Sequence, residues 1–302
     1  MSDSAEGSTQ DYEWTDPLLL SVRHLTRYDY HDDVWDSFNE ARLQPVSDTA
    51  QECQDFHLRV EPTATSLRDY PDFYGNCVHY FDVPQKHARL EVEAISRVAT
   101  RADTRGSIPA VNPPSALQNH SEVEDYFDFL NDSHFVSLDK EVWRESIDAL
   151  PNGVSDLWQD ALTVGRHIYK TFTYTPFTTT VNTRPAEVVL SRRGVCQDFA
   201  HVMLGMCRSH GIPARYISGY FFNPNRLPDE IEASHAWVEV YLPGYGWKGF
   251  DPTHNRIPDT RYVKLAVGRD YGDIKPVSGT FRGKGTRELR VEVQIRRVEA
   301  AE

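Results

Sequence analysis

Three short segments carry side chains whose types and order suit covalent catalysis. They are Arg193-Gly194-Val195-Cys196-Gln197-Asp198-Phe199-Ala200, Ser234-His235-Ala236-Trp237-Val238 and Gly246-Trp247-Lys248-Gly249-Phe250-Asp251-Pro252-Thr253. A cysteine attacks a carbonyl only as its thiolate. Cys196 falls at the start of a predicted helix, where unpaired N–H groups and the macrodipole favour negative charge. Its own N–H is placed to face an oxyanion, and Gly194 leaves room for a substrate beside the backbone. His235 opens a predicted strand and shares one face with Trp237, Glu239 and Tyr241. Asp251 follows one hairpin later. If that hairpin centres on Gly244, Asp251 lies opposite Trp237 and diagonal to His235, within side-chain reach. A one-residue slip would move it to the other face. Asp251 is then expected to accept the His235 Nδ1–H bond and leave Nε2 facing Cys196.

Each residue has a plain alternative when taken alone: a buried structural cysteine, a histidine bonded to a backbone carbonyl, a turn-starting aspartate. Together, nucleophile, base and base-orienting acid follow the general logic of covalent catalysis. Cys207 lies mid-helix on an apolar face and reads as inert core. Asp198, in the first helical turn, reads as a stabiliser of the helix terminus. His201 and His254 sit near the candidate residues and read as structural.

The elements that must position these groups are legible from periodicity. An apolar face from Val154 to Phe172 predicts one helix, Pro185 starts a shorter one, and Phe199, Val202, Met203, Met206 and Cys207 form the face of a third. Gly211 and Pro213 terminate it. Strands are predicted at Arg215–Phe222, Ser234–Tyr241, Trp247–Phe250, Tyr262–Val267 and Leu289–Val298, which makes this part α+β. Upstream, strands at Leu18–Tyr30, Glu40–Gln44, Cys53–Val60, Asn76–Val83 and His87–Val98, punctuated by turn residues, predict a small β-sandwich. The division expected is a disordered leader over 1–16, the β-sandwich over 17–100, a proline- and glycine-bearing linker over 101–120, and a catalytic domain over 121–302.

The 302 residues, 39% hydrophobic and 12% aromatic, suffice for a packed core. A net charge of -13 disfavours nucleic acid as a partner. No apolar run is long enough to span a bilayer. Four cysteines without a CxxC, and no visible secretory leader, point to a reducing cytoplasm. Cys53 with His57 and Cys77 with His79 could in principle form a four-ligand metal set, and strand-like surroundings argue against it. No metal or cofactor is expected.

The runs Gly194 to His201, Gly211-Ile212-Pro213-Ala214-Arg215-Tyr216-Ile217-Ser218-Gly219-Tyr220, Ser234 to Trp237 and Gly246 through Thr253 resemble the bacterial transglutaminase-like superfamily. The β-rich segment resembles the N-terminal region often attached to that core, so the resemblance covers about residues 18 to 270. It implies a papain-like fold, with a cysteine-bearing helix packed on an antiparallel sheet that carries the histidine and aspartate. It also implies acyl transfer at peptide or isopeptide amides through a thioester, by a cysteine peptidase or amidase. The alternatives are a protein-glutamine transamidase and a transglutaminase-fold binding protein without chemistry. An arylamine-type acetyltransferase would need an acetyl-CoA cradle, and none is evident. No acidic cluster suggests the calcium sites of animal transglutaminases. For the second oxyanion donor, related enzymes use an upstream side chain where Tyr174 stands, which otherwise reads as a core tyrosine. Gln197 is a further candidate, and Trp237 is expected to pack beside the triad and exclude water. Oligomeric state is left open.

Overall fold

The computed structural model describes residues 14–118, 120–225, 234–284 and 286–299. The chain runs β1 (Leu18–Ala41), β2 (Gln51–Glu61), β3 (Ser66–Pro71), β4 (Cys77–Val83), β5 (His87–Thr100), α1 (Val123–Tyr126), α2 (Lys140–Ala149), α3 (Leu157–Thr171), β6 (Thr173–Tyr174), α4 (Pro185–Ser191), β7 (Arg193–Gly194) and α5 (Cys196–Ser209). It continues with β8 (Ala214–Phe221), β9 (His235–Leu242), β10 (Gly246–Phe250), β11 (Tyr262–Gly268), β12 (Val277–Arg282) and β13 (Arg287–Arg297). It is a mixed fold built on antiparallel sheets, as expected.

β1 is the spine of the N-terminal region. Its first half alternates buried and half-buried residues, the signature of a strand with one covered face. The polar run His31-Asp32-Asp33 marks a bend in this strand and not the chain reversal its composition suggests. The register with β5 shifts between Asp29 and Val34, and Asp36 takes a left-handed φ of 47°. The expected strands at Leu18–Tyr30 and Glu40–Gln44 are therefore largely one strand serving two sheets. Its first half pairs with β5, beside which β2 lies, and with β13; its second half pairs with β4, beside which β3 lies, and with β12. Tyr28, Tyr30, Val34, Phe81, Val83, Leu90 and Val92 fill the space between the sheets.

The last two strands depart from the expected division. β12 and β13 fall within 121–302 yet pair with β1 along its length. Alternation along a strand shows which face is covered but not which sheet it joins. The core follows this return. Leu18, Leu20, Val22, Val98, Val293 and Ile295 belong to the same buried cluster as the faces of α3 and α5. The linker region is anchored too, since Leu157 N–H donates to Asn112 O at 2.8 Å. Residues 1–13 of the expected leader lie outside the described residues. Trp14 is held by Thr260 N–H and Oγ1 on its carbonyl.

A separate four-stranded sheet has the order β10-β9-β8-β11, all antiparallel. Ala236, Val238, Val240 and Leu242 face α5 and α3. α3 is capped by Asp156, whose carboxylate accepts from Trp158 and Gln159 N–H at 3.0 and 2.9 Å, worth about 1 kcal/mol. α5 ends where expected, with Gly211 at φ 71°. Among the described residues no helix is long and apolar enough to cross a membrane.

Candidate active site

α5 begins at Cys196 for local reasons. Val195 is extended, at φ -117° and ψ -179°, so helical geometry starts at the next residue. Asp198 turns its carboxylate back onto Val195 N–H at 2.8 Å, which satisfies an N-terminal donor and complements the helix dipole. Gly194 is required for this, because a side chain there would sit 2.8 Å from Asp198 Cβ. The space expected for a substrate beside Gly194 is thus taken by Asp198. Thr179 Oγ1 also donates to that carboxylate, at 2.6 Å. Gln197 Nε2 donates to Val181 O at 3.3 Å, so Gln197 and Asp198 tie the loop at 175–184 to the helix start. Tyr174 is half exposed and pairs with Gly194 through the short β6–β7 bridge, which places it beside the approach to Cys196 and not in the core.

His235 opens β9 opposite Gly219 of β8. A side chain at Gly219 would reach within 2.5 Å of the Trp237 indole, so the glycine leaves space for that ring beside His235. The two ring centroids lie 6.1 Å apart at 30°. Trp237 is buried and shields the histidine from water. The hairpin register pairs Phe250 with Val238. The next residue, Asp251, is therefore diagonal to His235, and its Oδ2 accepts from His235 Nε2 at 2.7 Å.

This reverses the expected ring orientation. Nε2 faces the carboxylate, which leaves Nδ1 as the ring nitrogen toward Cys196, whose side chain raises the His235 pKa. The reason is positional. Nδ1 is the ring nitrogen nearer the strand backbone, and Cys196 Sγ lies 4.0 Å from the Ser234 carbonyl oxygen on that backbone. Asp251, across the hairpin, meets the far edge of the ring.

Burial opposes charge on both members of the pair. For His235 that penalty is outweighed by the Asp251 charge, its hydrogen bond and the Cys196 side chain, and its pKa is pushed up to about 10. Asp251 is fully buried, yet His235 and then His254 hold its carboxyl far below the usual range. At neutral pH the pair is an imidazolium and a carboxylate.

Asp251 has a fuller shell than sequence reasoning supplies. Oδ1 accepts from Thr253 N–H at 2.8 Å and His254 N–H at 3.3 Å. Oδ2 accepts from His254 Nδ1 at 2.7 Å and the Tyr262 hydroxyl at 2.8 Å as well as from His235. Asp251 thus closes the turn through Oδ1 and bonds the His235 ring through Oδ2. Tyr262 is missed by sequence because β11 joins the sheet beside β8, an order that no local pattern reveals. His254 had a signal, its i+3 spacing from Asp251. His235, Asp251 and His254 offer ligand atoms within 4.8 Å of one another, but the 2.7 Å separations are those of hydrogen bonds already made.

The other expected groups separate cleanly. Cys207 is buried and its thiol is pushed up to about 12 by burial. Burial also raises Cys53 and Cys77. Cys77 Sγ lies 3.9 Å from His79 Nδ1, while His57 is exposed beside Asp55, and no four-ligand cluster forms among the described residues. A cavity of about 560 Å³ is lined in part by Trp237 and Tyr262. Its buried Glu239 is paired with Arg215 and Lys264, both at 2.6 Å.

Residues 148–252 match the model of the transglutaminase-like superfamily, and residues 20–99 match the bacterial transglutaminase-like N-terminal region. An uncharacterized protein of Mycobacterium leprae is 32% identical over 92% of this chain and 99% of its own length. The chain belongs to the transglutaminase-like superfamily. A Mycobacterium tuberculosis relative, also uncharacterized, is 33% identical over 85% of this chain and 86% of its own length. A protein-glutamine gamma-glutamyltransferase of Pseudomonas aeruginosa is 39% identical over 74 residues, which is 23% of this chain and 11% of that protein. The fold matches a crystal structure from Cytophaga hutchinsonii, provisionally called a cysteine protease, with TM-score 0.73, 21% identity and coverage of 95% of this chain and 93% of that one. Membership supports a cysteine-dependent activity of the acyl-transfer or peptidase type. The transglutaminase-like core match takes in Cys196, His235 and Asp251.

Proposed function

We propose that the protein hydrolyses amide bonds of peptides or proteins through a thioester on Cys196, with His235 as acid and base and Asp251 as its orienter. The observation that carries this reading is His235, bonded through Nε2 to a buried carboxylate at 2.7 Å, next to the Ser234 carbonyl that lies 4.0 Å from the sulfur of Cys196 at a helix start. The Cys196 thiolate attacks the amide carbon, and the carbonyl π electrons move to oxygen. Donors at the start of α5 are positioned for that oxyanion, with Tyr174 and Gln197 as side-chain candidates at its rim. The oxyanion re-forms the carbonyl, the C–N bond breaks, and His235 Nδ1 gives its proton to the departing amine. Water then attacks the thioester as His235 takes one of its protons. The C–S bond breaks and releases acid and thiolate. Asp251 stays ionised throughout and keeps the Nε2 proton in place.

Resolution by an amine is the second reading, favoured by the segment shared with the Pseudomonas aeruginosa gamma-glutamyltransferase. One experiment addresses both readings. Peptide and isopeptide libraries are incubated with the protein, with and without a primary amine, and followed by mass spectrometry. Hydrolysis gives a mass gain of one water across the cleaved products whether or not amine is present, and Cys196→Ala gives none. Amine adducts in place of acids would select transamidation. Turnover that survives Cys196→Ala would remove both readings.

A further inference from the structure

The Asp251 carboxylate is over-subscribed. Oδ2 has two lone pairs, yet three donors converge on it: His235 Nε2 at 2.7 Å, His254 Nδ1 at 2.7 Å and the Tyr262 hydroxyl at 2.8 Å. A carboxylate cannot donate, so both imidazoles must carry a proton on the nitrogen that faces it. The three donors compete for one oxygen's electron density. Whatever strengthens one bond weakens the other two.

His254 is placed to vary in strength. Its side chain is about a third exposed, whereas that of His235 is nearly buried (35% against 9%). With Nδ1 committed to Asp251, the edge available to gain a proton is Nε2. Around its ring lie His235 of β9 at 4.9 Å and uncharged Phe221 of β8 at 4.7 Å. The segment between β10 and β11 supplies Asp251, Arg256, Asp259 and Arg261. Arg256 and Arg261 lie over Phe221, and Asp259 is paired with Arg261. β11 adds the Tyr262 hydroxyl, and α5 adds Cys196 beyond His235. Asp251 is thus the anion in direct contact with both imidazoles.

We infer that His254 is a positioning residue that meters how much of the Asp251 charge is left to hold the His235 proton. Neutral His254 fixes the carboxylate and leaves the His235 bond strong. Protonated at Nε2, it becomes a cationic donor and adds a Coulombic attraction to the carboxylate that the neutral ring lacks. It then draws Oδ2 away, the imidazolium at His235 is held less firmly, and the ion pair with Cys196 loses population. Reactivity of Cys196 on the acid side would therefore follow a group that touches neither substrate nor sulfur. This rests on the Cys196–His235 reading above.

The test is iodoacetamide alkylation of Cys196 in the full-length protein from pH 4.5 to 8, read by peptide mass. The comparison is between wild type, His254→Asn and His254→Leu. Asparagine places an amide N–H near the position of Nδ1 but cannot titrate, and leucine offers no donor. Wild type is expected to lose reactivity about threefold or more on acidification, in a step that depends on residue 254. His254→Asn should match wild type near pH 8 and lack that step. His254→Leu should also lack it. In turnover assays the step should appear in kcat and leave KM in place. Superimposable pH profiles for all three, with Cys196 still labelled selectively, would overturn this inference and leave the catalytic reading intact. Unselective labelling in wild type would overturn the catalytic reading itself. If leucine unfolds the chain, the asparagine profile decides alone.

Discussion

Two buried histidines, 34 residues apart in sequence, have opposite fates. His235 and His201 are both buried (8% and 1% exposed). His201 lies in α5, stacked on Phe135, and its Nε2 accepts from Tyr271 N–H at 3.2 Å. Among the described residues no carboxylate is hydrogen-bonded to it, and burial lowers its pKa to about 4 against a weaker opposing pull from Asp270. His235 suffers the same penalty, but Asp251 bonds to it directly, and its pKa rises to about 10. Burial by itself makes an inert neutral ring. Burial with a bonded carboxylate makes a cation beside a thiol. α5 repeats the contrast with its cysteines: Cys196 at the start faces His235, and Cys207 inside faces only core.

The cysteine contrast should give the largest effect. Cys196→Ala is expected to lower turnover at least ~1000-fold with the fold retained, because alanine suits a helix start. Cys207→Ala should leave turnover near wild type and cost about 1 kcal/mol of stability through the cavity it opens. Equal loss of activity in the two variants, both folded, would erase the contrast.

Replacing the carboxylate comes next. Asp251→Asn still offers an acceptor but no charge, so His235 should behave more like His201. Turnover should fall about 10- to 1000-fold, less than in Cys196→Ala, and alkylation of Cys196 at neutral pH should slow. If Asp251 only started the turn, asparagine would serve as well and neither rate would move.

The smallest effect is on stability. The folded pKa of His201 lies below the unfolded value of ~6.5, so the unfolded chain takes the proton first as pH falls. Stability is lost from about pH 6.5 toward pH 4, by on the order of 3 kcal/mol at most. His24, lowered to about 4 by burial, adds to the same loss. The His235 pair has the opposite sign. Its stabilisation is full below about pH 6.5 and is lost as pH rises through about 10. Gln at position 201 can accept from Tyr271 without titrating. Urea midpoints at pH 7 and pH 4.5 should therefore differ less in His201→Gln than in wild type. An unchanged difference would mean that His201 is not the neutral buried ring described.

Much of this contrast was legible in sequence, and the parts that were not share a cause. The extent of α5 shows in its apolar face and its terminators, and the hairpin register follows from Pro243-Gly244-Tyr245-Gly246. These are local signals. The continuity of β1 through His31-Asp32-Asp33, the return of β12 and β13 to β1, and Tyr262 at the Asp251 carboxylate all depend on which strand neighbours which. Alternation is blind to that. The imidazole orientation was missed because it depends on where Cys196 sits along the His235 backbone, a distance of a few ångströms that spacing in sequence does not encode.

The central claim is that Cys196 is an activated nucleophile and the other cysteines are not. The most direct measurement is limited iodoacetamide labelling of the native protein at pH 6.5, with peptide mapping of all four cysteines. The account predicts one equivalent of label on Cys196, with Cys53, Cys77 and Cys207 reacting at least ~10-fold more slowly, and equal labelling of all four after denaturation. Cys196 that reacts no faster in the native protein than in the unfolded chain, or that trails Cys53 and Cys77, would contradict it.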